Sequence, residues 1–559
     1  MSEPMVRLTV HPIEKAITIE AGHSLLEALR QAGIEIAAPC DGQGLCGKCK
    51  VYISGTTPPV DAAHGHLSTE EIAAGTRLAC EVNVQDGMVV TLPENHTLDA
   101  RILEGERIRE GRVAPAVLVD KIDGQFQLRY QDRPPVALPD WRESFSPKGL
   151  AIDLGTTTLV VTLMDLQTGR ELATASALNP QTRFGHDVMT RIQHGTTPEG
   201  LAEIAGVIAH GLNELVGRAC RASYTDPNEI LDAVIGGNTT MLQLAAAIDP
   251  SPLGKVPFTV GIESGRSYPA ERFGLKINPW ARVYIPPVAH AFVGSDISAG
   301  MLSIDFFEHH SPLLFMDLGT NGEMALVAND RRIVTSTAAG PAFEGMGISC
   351  GMRAAAGAIE TVWANGNFLS LRTINDAPAR GICSSGIMDL IACLIRLDAV
   401  EPNGRLKAPL TSALWKGPFT ERYTMIGKTA AIRLADKITF TQKDVRQFQL
   451  AKSAVQTGAE MLLAAAQMNP ADLEKIVIAG AFGYHLREGS LRTIGILPHG
   501  FEGEIDFAGN TSRTGSALLL TDAANRCRLE DQMRQVTHLS ITEMTDFQSR
   551  FVKNMALGR

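Results

Sequence analysis

The chain has 559 residues, more than a single hydrophobic core organises, and about two to four domains are expected. Its 45% hydrophobic and 20% charged residues are typical of a globular protein and exclude a disordered or fibrous one. A formal net charge of −10 without a basic block argues against nucleic acid as a partner. No apolar run has the length of a membrane span and the first residues show no signal-peptide pattern. We therefore expect a cytoplasmic protein with reduced thiols and no membrane partner.

A cysteine cluster near the start predicts a metal centre. Cys40, Cys46, Cys49 and Cys80 lie in the first 80 residues, and clustered thiols in a reducing compartment indicate metal binding. Glycines beside Cys46 let the backbone wrap a small inorganic cluster and direct N–H groups at its sulfurs. A structural zinc site is the alternative, but such sites usually pair two Cys-x2-Cys knuckles and only one is present. We predict a [2Fe–2S] cluster bound by these four cysteines.

The surrounding residues, 1–93, have the pattern of a small β-rich domain. Residues 7–10 and 16–19 alternate like half-buried strands, and Ser24 with Glu27 forms a capping box that opens a helix. This domain resembles a plant-type ferredoxin of the β-grasp fold. Its five residues between the first two cysteines, where the plant pattern has four, are similar to those of adrenodoxin-like and activator ferredoxins.

Two short regions connect this domain to the main body. Residues 94–112 are charged and lack apolar periodicity, which predicts a mobile linker, with a solvated helix as the alternative. Residues 113–147 form a small β-rich segment with strands at 117–119 and 125–128. This segment contains no candidate catalytic or metal-binding motif, and we interpret it as a docking or dimerisation element.

The first lobe of the main body, residues 148–310, opens with a hairpin whose tip is small and polar. The tip residues are Asp153, Gly155, Thr156, Thr157 and Thr158. Gly155 allows close backbone approach, and the threonines and N–H groups can face phosphate oxygens. The position of Asp153 at the end of the strand predicts that its carboxylate holds Mg²⁺ through the water shell of the ion. An ordinary polar turn is the alternative.

The second lobe, residues 311–559, repeats this hairpin. Its tip residues are Asp317, Gly319, Thr320, Asn321, Gly322 and Glu323. A further strand, 476–479, ends in a turn that contains Gly480 and Gly483. The trio resembles the actin-like ATPase superfamily of acetate and sugar kinases, heat-shock chaperones and actin. The resemblance implies that the first two tips bind the phosphates of ATP and that the third approaches the adenosine.

Four more residues are candidates around this site. We expect Asp296 to orient the attacking water and Glu344 to serve Mg²⁺ or act as a base. Gly340 belongs to a flexible segment, 339–347, that can close on a nucleotide. Lys452 lies in the middle of a predicted helix from which it can reach a phosphate or ribose. Turn or capping roles, and a structural role for the lysine, are the alternatives.

An electron carrier joined to an ATPase indicates that electron transfer requires a free-energy input. A plant-type cluster has a potential near about −400 mV, and each ~100 mV uphill costs about 2.3 kcal/mol per electron. Nucleotide binding can bias such a transfer if two conformations bind the acceptor with different affinities.

The order of motifs along almost the full length resembles the reductive activators of corrinoid enzymes. The motifs are the four cysteines, the two Asp-x-Gly-Thr tips, the segments 179–188 and 340–345, and the segment 479–483. The resemblance implies an α/β multidomain protein that uses ATP to reduce cob(II)amide to cob(I)amide on a corrinoid methyl-transfer protein. It also implies an upstream electron donor and a homodimer.

Three other functions remain open at this stage. A small-molecule kinase with a fused ferredoxin would phosphorylate a product without a reductant. Activators of radical dehydratases or of aromatic-ring reductases resemble the ATPase lobes but carry a [4Fe–4S] cluster between subunits. A chaperone-like binding module would need no cysteines.

Overall fold

A computed structural model describes most of the chain: residues 4–11, 15–32, 34, 36, 49–55, 67, 69–92, 112–122, 125–130, 133–138, 145–185, 187–328, 330–365, 368–409, 417–480 and 486–558. The chain divides into two compact units. The first comprises Met1–Asp99 with Pro180–Arg191, and the second comprises Ala100–Asn179 with Ile192–Arg559. Cys40, Cys46, Gly483 and all of the predicted linker except Arg112 lie outside the described residues.

The first unit contains a five-stranded sheet with a helix packed on it. Its elements are β1 (Met5–His11), β2 (Lys15–Glu20), α1 (Leu25–Gln31), β3 (Lys50–Gly55), α2 (Thr69–Ala73), β4 (Thr76–Leu78) and β5 (Met88–Thr91). The strand order is β2-β1-β5-β3-β4, with β1 parallel to β5. The predicted capping box is confirmed, because Ser24 N–H donates to Glu27 Oε2 at 2.9 Å and Glu27 N–H donates to Ser24 Oγ at 3.2 Å. The β-grasp ferredoxin prediction is thus confirmed.

A small three-stranded sheet forms part of the second unit. Its strands are β6 (Val117–Ile122), β7 (Gln125–Tyr130) and β8 (Arg133–Ala137). Val117 and Leu128 are buried in one apolar cluster with Leu231 of the first lobe. The Tyr130 hydroxyl oxygen lies 2.8 Å from the carbonyl oxygens of both Leu231 and Trp280, so its one proton is shared between two acceptors. This sheet is therefore docked on the first lobe.

Each lobe of the main body is built on a six-stranded sheet. The first lobe contains β9 (Lys148–Leu154), β10 (Thr158–Asp165), β11 (Glu171–Leu178), β12 (Ile230–Gly237), β13 (Arg266–Pro269) and β14 (Arg282–Ile285). The second contains β15 (Leu313–Leu318), β16 (Gly322–Ala328), β17 (Arg331–Thr337), β18 (Ala358–Asn365), β19 (Phe368–Thr373), β20 (Gly381–Ile382), β21 (Tyr423–Ile426), β22 (Thr429–Ala435), β23 (Ile438–Thr441), β24 (Lys475–Ala479), β25 (Glu504–Gly509) and β26 (Val536–His538).

The two large sheets repeat one topology. Their orders are β11-β10-β9-β12-β14-β13 and β17-β16-β15-β24-β25, with β26 added beside β17. In each, the opening hairpin is antiparallel and its first strand pairs in parallel with a later strand. Both hairpin tips therefore lie at the carboxyl ends of parallel strands, where open α/β sheets bind ligands. This topology confirms the actin-like fold prediction. The remaining β18-to-β23 strands form two small sheets inserted between β17 and β24.

Helices follow the strands along this part of the chain. They are α3 (Val188–His194), α4 (Pro198–Ser223), α5 (Thr239–Ala245), α6 (Ser295–Ser303), α7 (Ser384–Arg396), α8 (Gln442–Ala465), α9 (Glu488–Ile494), α10 (Thr511–Thr521), α11 (Ala523–Met533) and α12 (Phe547–Asn554). Helices α6 and α10 cross so closely that a Cβ on Gly515 would lie 1.8 Å from the carbonyl oxygen of Ala299. Although α10 follows a strand of the second sheet, it packs on β9 and β12 of the first. Among the described residues, no helix is both long and apolar enough to cross a bilayer.

Candidate functional site

The turn between β9 and β10 is tightly closed. Gly155 N–H donates to the carbonyl oxygen of Thr158 at 2.9 Å, and a Cβ on Gly155 would lie 2.7 Å from the same oxygen. Glycine is required here because any side chain would collide with backbone. Asn179 braces the turn, since its N–H donates to the Thr157 carbonyl at 2.9 Å and its side-chain amide to the Gly155 carbonyl at 2.8 Å. The turn is thus fixed with its small polar groups at the cleft.

The turn between β15 and β16 meets the first turn across the cleft. Gly319 N–H donates to the carbonyl oxygen of Asn321 at 3.0 Å. The hydroxyl oxygens of Thr320 and Thr157 lie 3.3 Å apart, and the Thr320 hydroxyl also donates to Glu344 Oε1 at 2.7 Å. Two hairpins that are far apart in the chain therefore present one continuous polar surface.

Carboxyl groups line the same cleft next to the tips. Burial, followed by the negative charges of neighbouring carboxylates, raises the pKa of Asp317 to about 8. Burial and then the charge of Asp153 raise the pKa of Asp296 to about 7. Burial also raises the pKa of Glu323 well above its ordinary value, and that of Asp153 despite a hydrogen bond from Asn510 Nδ2 at 2.8 Å. So many acids close together favour a cation, because it would relieve their mutual repulsion.

The donor set fits Mg²⁺ better than a softer metal, because it consists of oxygen atoms. Within the described part of the chain, no three His, Cys, Asp or Glu side chains are arranged to hold an ion jointly. Mg²⁺ typically binds to one or two carboxylates, several waters and the phosphates of a nucleotide, so this arrangement suits it. Glu344 Oε2 is buried and makes no hydrogen bond to the described residues, which leaves it available to such a ligand.

Most of the predicted site residues line this one cleft. They are Asp153, Gly155, Thr156, Thr157, Thr158, Asp296, Asp317, Gly319, Thr320, Asn321, Glu323, Glu344 and Gly480. Gly480 has φ +114°, and a Cβ there would lie 2.6 Å from the carbonyl oxygen of Leu318. Its lack of a side chain lets the end of β24 approach the second tip. The predicted contact Gly483 lies outside the described residues.

Two predicted glycines lie outside the cleft lining. The carbonyl oxygen of Gly322 accepts from Thr337 Oγ1 at 3.2 Å, and a Cβ on Gly322 would lie 2.8 Å from that hydroxyl. This glycine therefore serves strand packing. Gly340 has φ +73° and precedes the short turn that carries Glu344. Its conformational freedom sets the direction of that turn.

The prediction that Lys452 contacts a nucleotide is wrong. Its side chain is fully buried, and its Nζ donates to Gln456 Oε1 at 2.7 Å and to the carbonyl oxygens of Asn554 at 2.9 Å and Ala556 at 2.7 Å. These carbonyls lie at the C-terminal end of α12, where the helix dipole favours a cation. Lys452 therefore fixes the last helix against α8.

Five further polar residues line the cleft outside the predicted set: Asn238, Arg353, Ser384, Asn510 and Ser512. Asn510 caps α10, because its side-chain oxygen accepts from Arg513 N–H at 2.9 Å. An asparagine between a strand and a helix signals a cap in the sequence. Its second contact, with Asp153 of the other lobe, is visible only in the fold.

Two of the four predicted cluster ligands are described. The sulfur atoms of Cys49 and Cys80 lie 3.3 Å apart. This is well beyond a disulfide bond of about 2.05 Å, yet close enough for both thiolates to bind one metal ion. The geometry fits half of a four-cysteine iron–sulfur site. Cys40 and Cys46 lie outside the described residues.

These features define a class of protein: a ferredoxin-type domain joined to an actin-like ATPase fold. Each part of the chain matches a known domain family. The 2Fe-2S iron-sulfur cluster binding domain matches residues 8–112, the RACo middle region matches 148–309, and the C-terminal domain of RACo, the ASKHA domain, matches 311–559. A 2Fe-2S cluster and ATP are therefore the ligands of the two parts.

Relatives specify the family. The corrinoid activation enzyme RamQ of Eubacterium limosum is 34% identical over 419 residues, which cover 73% of this chain and 70% of RamQ. The Co(II) methylated amine-specific corrinoid protein reductase of Methanosarcina barkeri is 28% identical over 397 residues, or 68% of this chain and 71% of that protein. The solved structure of a reductive activator for corrinoid,iron-sulfur protein has a TM-score of 0.72 at 28% identity and covers 99% of this chain and 98% of its own. The chain belongs to the family of reductive activators of corrinoid proteins, as its motif order predicts.

Proposed function

We propose that this chain is an ATP-dependent reductive activator, which delivers a low-potential electron to the cob(II)amide of a corrinoid methyl-transfer protein and restores cob(I)amide. The observation that carries the proposal is the union of paired ferredoxin thiols and a two-tipped nucleotide cleft in a chain related to corrinoid activation enzymes. The proposal includes an upstream electron donor and a homodimer. The [2Fe–2S] cluster, held by Cys40, Cys46, Cys49 and Cys80, supplies one-electron storage near about −400 mV.

Mg–ATP binds in the cleft through the two tips. The backbone N–H groups and hydroxyls of Thr156, Thr157 and Thr320 contact phosphate oxygens. This role is supported by the presence of all three in the lining of the cleft and by the 3.3 Å between the hydroxyl oxygens of Thr157 and Thr320. Asp153 and Asp317 are the residues that would hold Mg²⁺, which usually keeps several of its waters in protein sites. Their raised pKa values support this role, because clustered carboxylates are stabilised in the ionised form once a divalent cation lies among them.

Asp296 is the residue proposed to orient and deprotonate the water that attacks the terminal phosphate. It lies in the first turn of α6 and its Oδ1 accepts from Ile297 N–H at 2.9 Å, which fixes the carboxylate. A pKa of about 7 suits a general base near neutral pH. Glu344 positions the second tip through its hydrogen bond from Thr320.

Closure of the cleft couples ATP hydrolysis to electron transfer. Helix α10 packs on the sheet of the first lobe, although it follows a strand of the second. A change in the width of the cleft therefore displaces residues of both lobes. Nucleotide binding and hydrolysis thereby favour different conformations. A corrinoid partner that binds these conformations with different affinities would receive the electron in one of them.

The decisive experiment follows cobalt directly. The reduced protein is mixed anaerobically with candidate corrinoid proteins, and the cob(II)amide and cob(I)amide absorbance is recorded with and without Mg–ATP. We expect cob(I)amide only with both reductant and Mg–ATP. At saturating Mg–ATP, Asp296→Asn is expected to keep the cluster spectrum but to lose at least about tenfold in ATP hydrolysis and activation. The proposal fails if no candidate is reduced, or if reduction proceeds equally without ATP.

A further inference from the structure

One positive side chain stands among the acids of the nucleotide cleft. Of the described residues that line it, five carry carboxyl groups, at positions 153, 296, 317, 323 and 344, and Arg353 is the one cation. Triphosphate oxygens placed near these carboxylates would be repelled unless cations intervene. Mg²⁺ neutralises only part of that charge, so the position of Arg353 matters for binding a polyanion.

The loop before Arg353 brings it beside Glu344. A Cβ on Gly345 would lie 2.9 Å from the carbonyl oxygen of Met352, and a Cβ on Gly351 would lie 1.9 Å from the carbonyl oxygen of Gly345. The two ends of the loop 345–352 are thus in direct backbone contact, which only glycine at these positions allows. The residues that flank the loop, Glu344 and Arg353, consequently emerge together at the cleft.

The same loop is pinned from two other sides. Met352 N–H donates to the carbonyl oxygen of Ile382 and Ile382 N–H donates to that of Cys350, both at 2.9 Å. Ser349 N–H donates to Asp444 Oδ1 at 2.6 Å, at the start of α8. Arg353 is therefore presented from a fixed support, which lowers the entropic cost of using its long side chain.

The neighbouring wall of the cleft is also electropositive. Ile382 lies two residues before Ser384, the first residue of the thirteen-residue helix α7, and Ser384 lines the cleft. The N-terminus of a helix carries partial positive charge. Arg353 and this helix start together add positive potential to a cleft whose other charged lining residues, among those described, are carboxyl groups.

We propose that Arg353 is a nucleotide-binding residue that donates hydrogen bonds to phosphate oxygens of ATP. The inference rests on the proposed function, since it takes Mg–ATP as the occupant of the cleft. The planar guanidinium of Arg353 can make two parallel hydrogen bonds to a phosphate, which a lysine side chain cannot. Arg353 thereby selects phosphorylated nucleotides over adenosine.

The test is nucleotide binding by calorimetry to the full chain with its cluster. Arg353→Gln is compared with wild type for the binding of Mg–ATP, Mg–ADP and adenosine. Arg353→Lys keeps the positive charge but loses the planar guanidinium that makes two parallel hydrogen bonds. Arg380→Gln is the matched control, because Arg380 is an exposed arginine near the same strand β20 that does not line the cleft. We expect Arg353→Gln to weaken ATP and ADP roughly ten- to a hundredfold and to leave adenosine within about twofold. Arg353→Lys should fall between, and Arg380→Gln should match wild type.

Two results would overturn the inference while leaving the proposed function intact. One is wild-type ATP affinity in Arg353→Gln. The other is an equal loss for adenosine, which would mean that the arginine shapes the pocket and does not contact phosphate. Wild-type protein that binds no nucleotide would instead refute the proposed function. The visible spectrum of the cluster and the melting temperature establish that each variant is folded.

Discussion

The clustered carboxylates predict that Mg–ATP binding tightens as the pH rises. In the ligand-free cleft, burial and neighbouring negative charge raise the pKa of Asp317 to about 8 and that of Asp296 to about 7. Below these values each carboxyl group holds a proton, which a Mg²⁺ ion and its water shell must displace. Affinity is therefore highest above pH 8 and is lost as the pH falls through 8 and then 7.

The size of the effect follows from the two pKa values. Binding that requires an ionised group weakens about tenfold for each pH unit below the pKa of that group. Between pH 8 and pH 6, Asp317 alone accounts for roughly fiftyfold, and Asp296 adds roughly another tenfold. Both side chains are only half-buried and face the cleft, so we expect a total change of tens to a few hundredfold.

Calorimetry at pH 6, 7 and 8, in buffers of different ionisation enthalpy, measures both the affinity and the protons released. The terminal phosphate of ATP also titrates, with a pKa near about 6, but equally for every variant. Asp317→Asn is therefore the control, and its binding should depend on pH less steeply, by nearly one decade per pH unit below pH 7. Identical pH slopes for wild type and Asp317→Asn, or no proton release at pH 7, would refute the reasoning.

Four further outcomes are expected. A carboxyl group whose folded pKa lies above its ordinary value stabilises at low pH and loses that contribution as the pH rises, so ligand-free Asp317→Asn should melt higher than wild type at pH 8 and not at pH 4. Gly155→Ala should weaken ATP binding at least about tenfold in calorimetry, because its Cβ meets the Thr158 carbonyl at 2.7 Å; unchanged affinity would show that the turn yields. Cys80→Ser should lose the visible cluster spectrum and cobalt reduction but keep ATP hydrolysis, and a normal spectrum would exclude it as a ligand. Lys452→Met should destabilise the protein by about 2–3 kcal/mol in denaturant unfolding with ATP affinity unchanged, whereas weaker ATP binding would restore the nucleotide role.

Local sequence patterns were sufficient for features built from neighbouring residues. The predicted capping box at Ser24 is formed because its partner, Glu27, is three residues away. Both hairpin tips have the predicted turn form, because glycine and short polar side chains fit few other conformations. The repeat of the tip likewise indicated two related lobes, and the two large sheets share their topology.

Roles that depend on distant partners could not be read in this way. The helical sequence around Lys452 would be the same whether its side chain contacted a phosphate or a carbonyl oxygen. Its actual partner is decided by α12, whose last residue, Asn554, packs against α8 and accepts its hydrogen bond. The position of Arg353 depends on a loop whose ends touch and on its pairing with β20, which no local periodicity records.

The sequence by itself predicted the chemistry of this protein, through four thiols spaced for an iron–sulfur cluster and two small polar tips suited to phosphates. These groups are specified by residue type, which the chain carries whatever its conformation. Only the tertiary structure decided which charges share the cleft. Burial and proximity arise when strands far apart in the chain become neighbours, and they set the pKa values of the acids and place Arg353 among them.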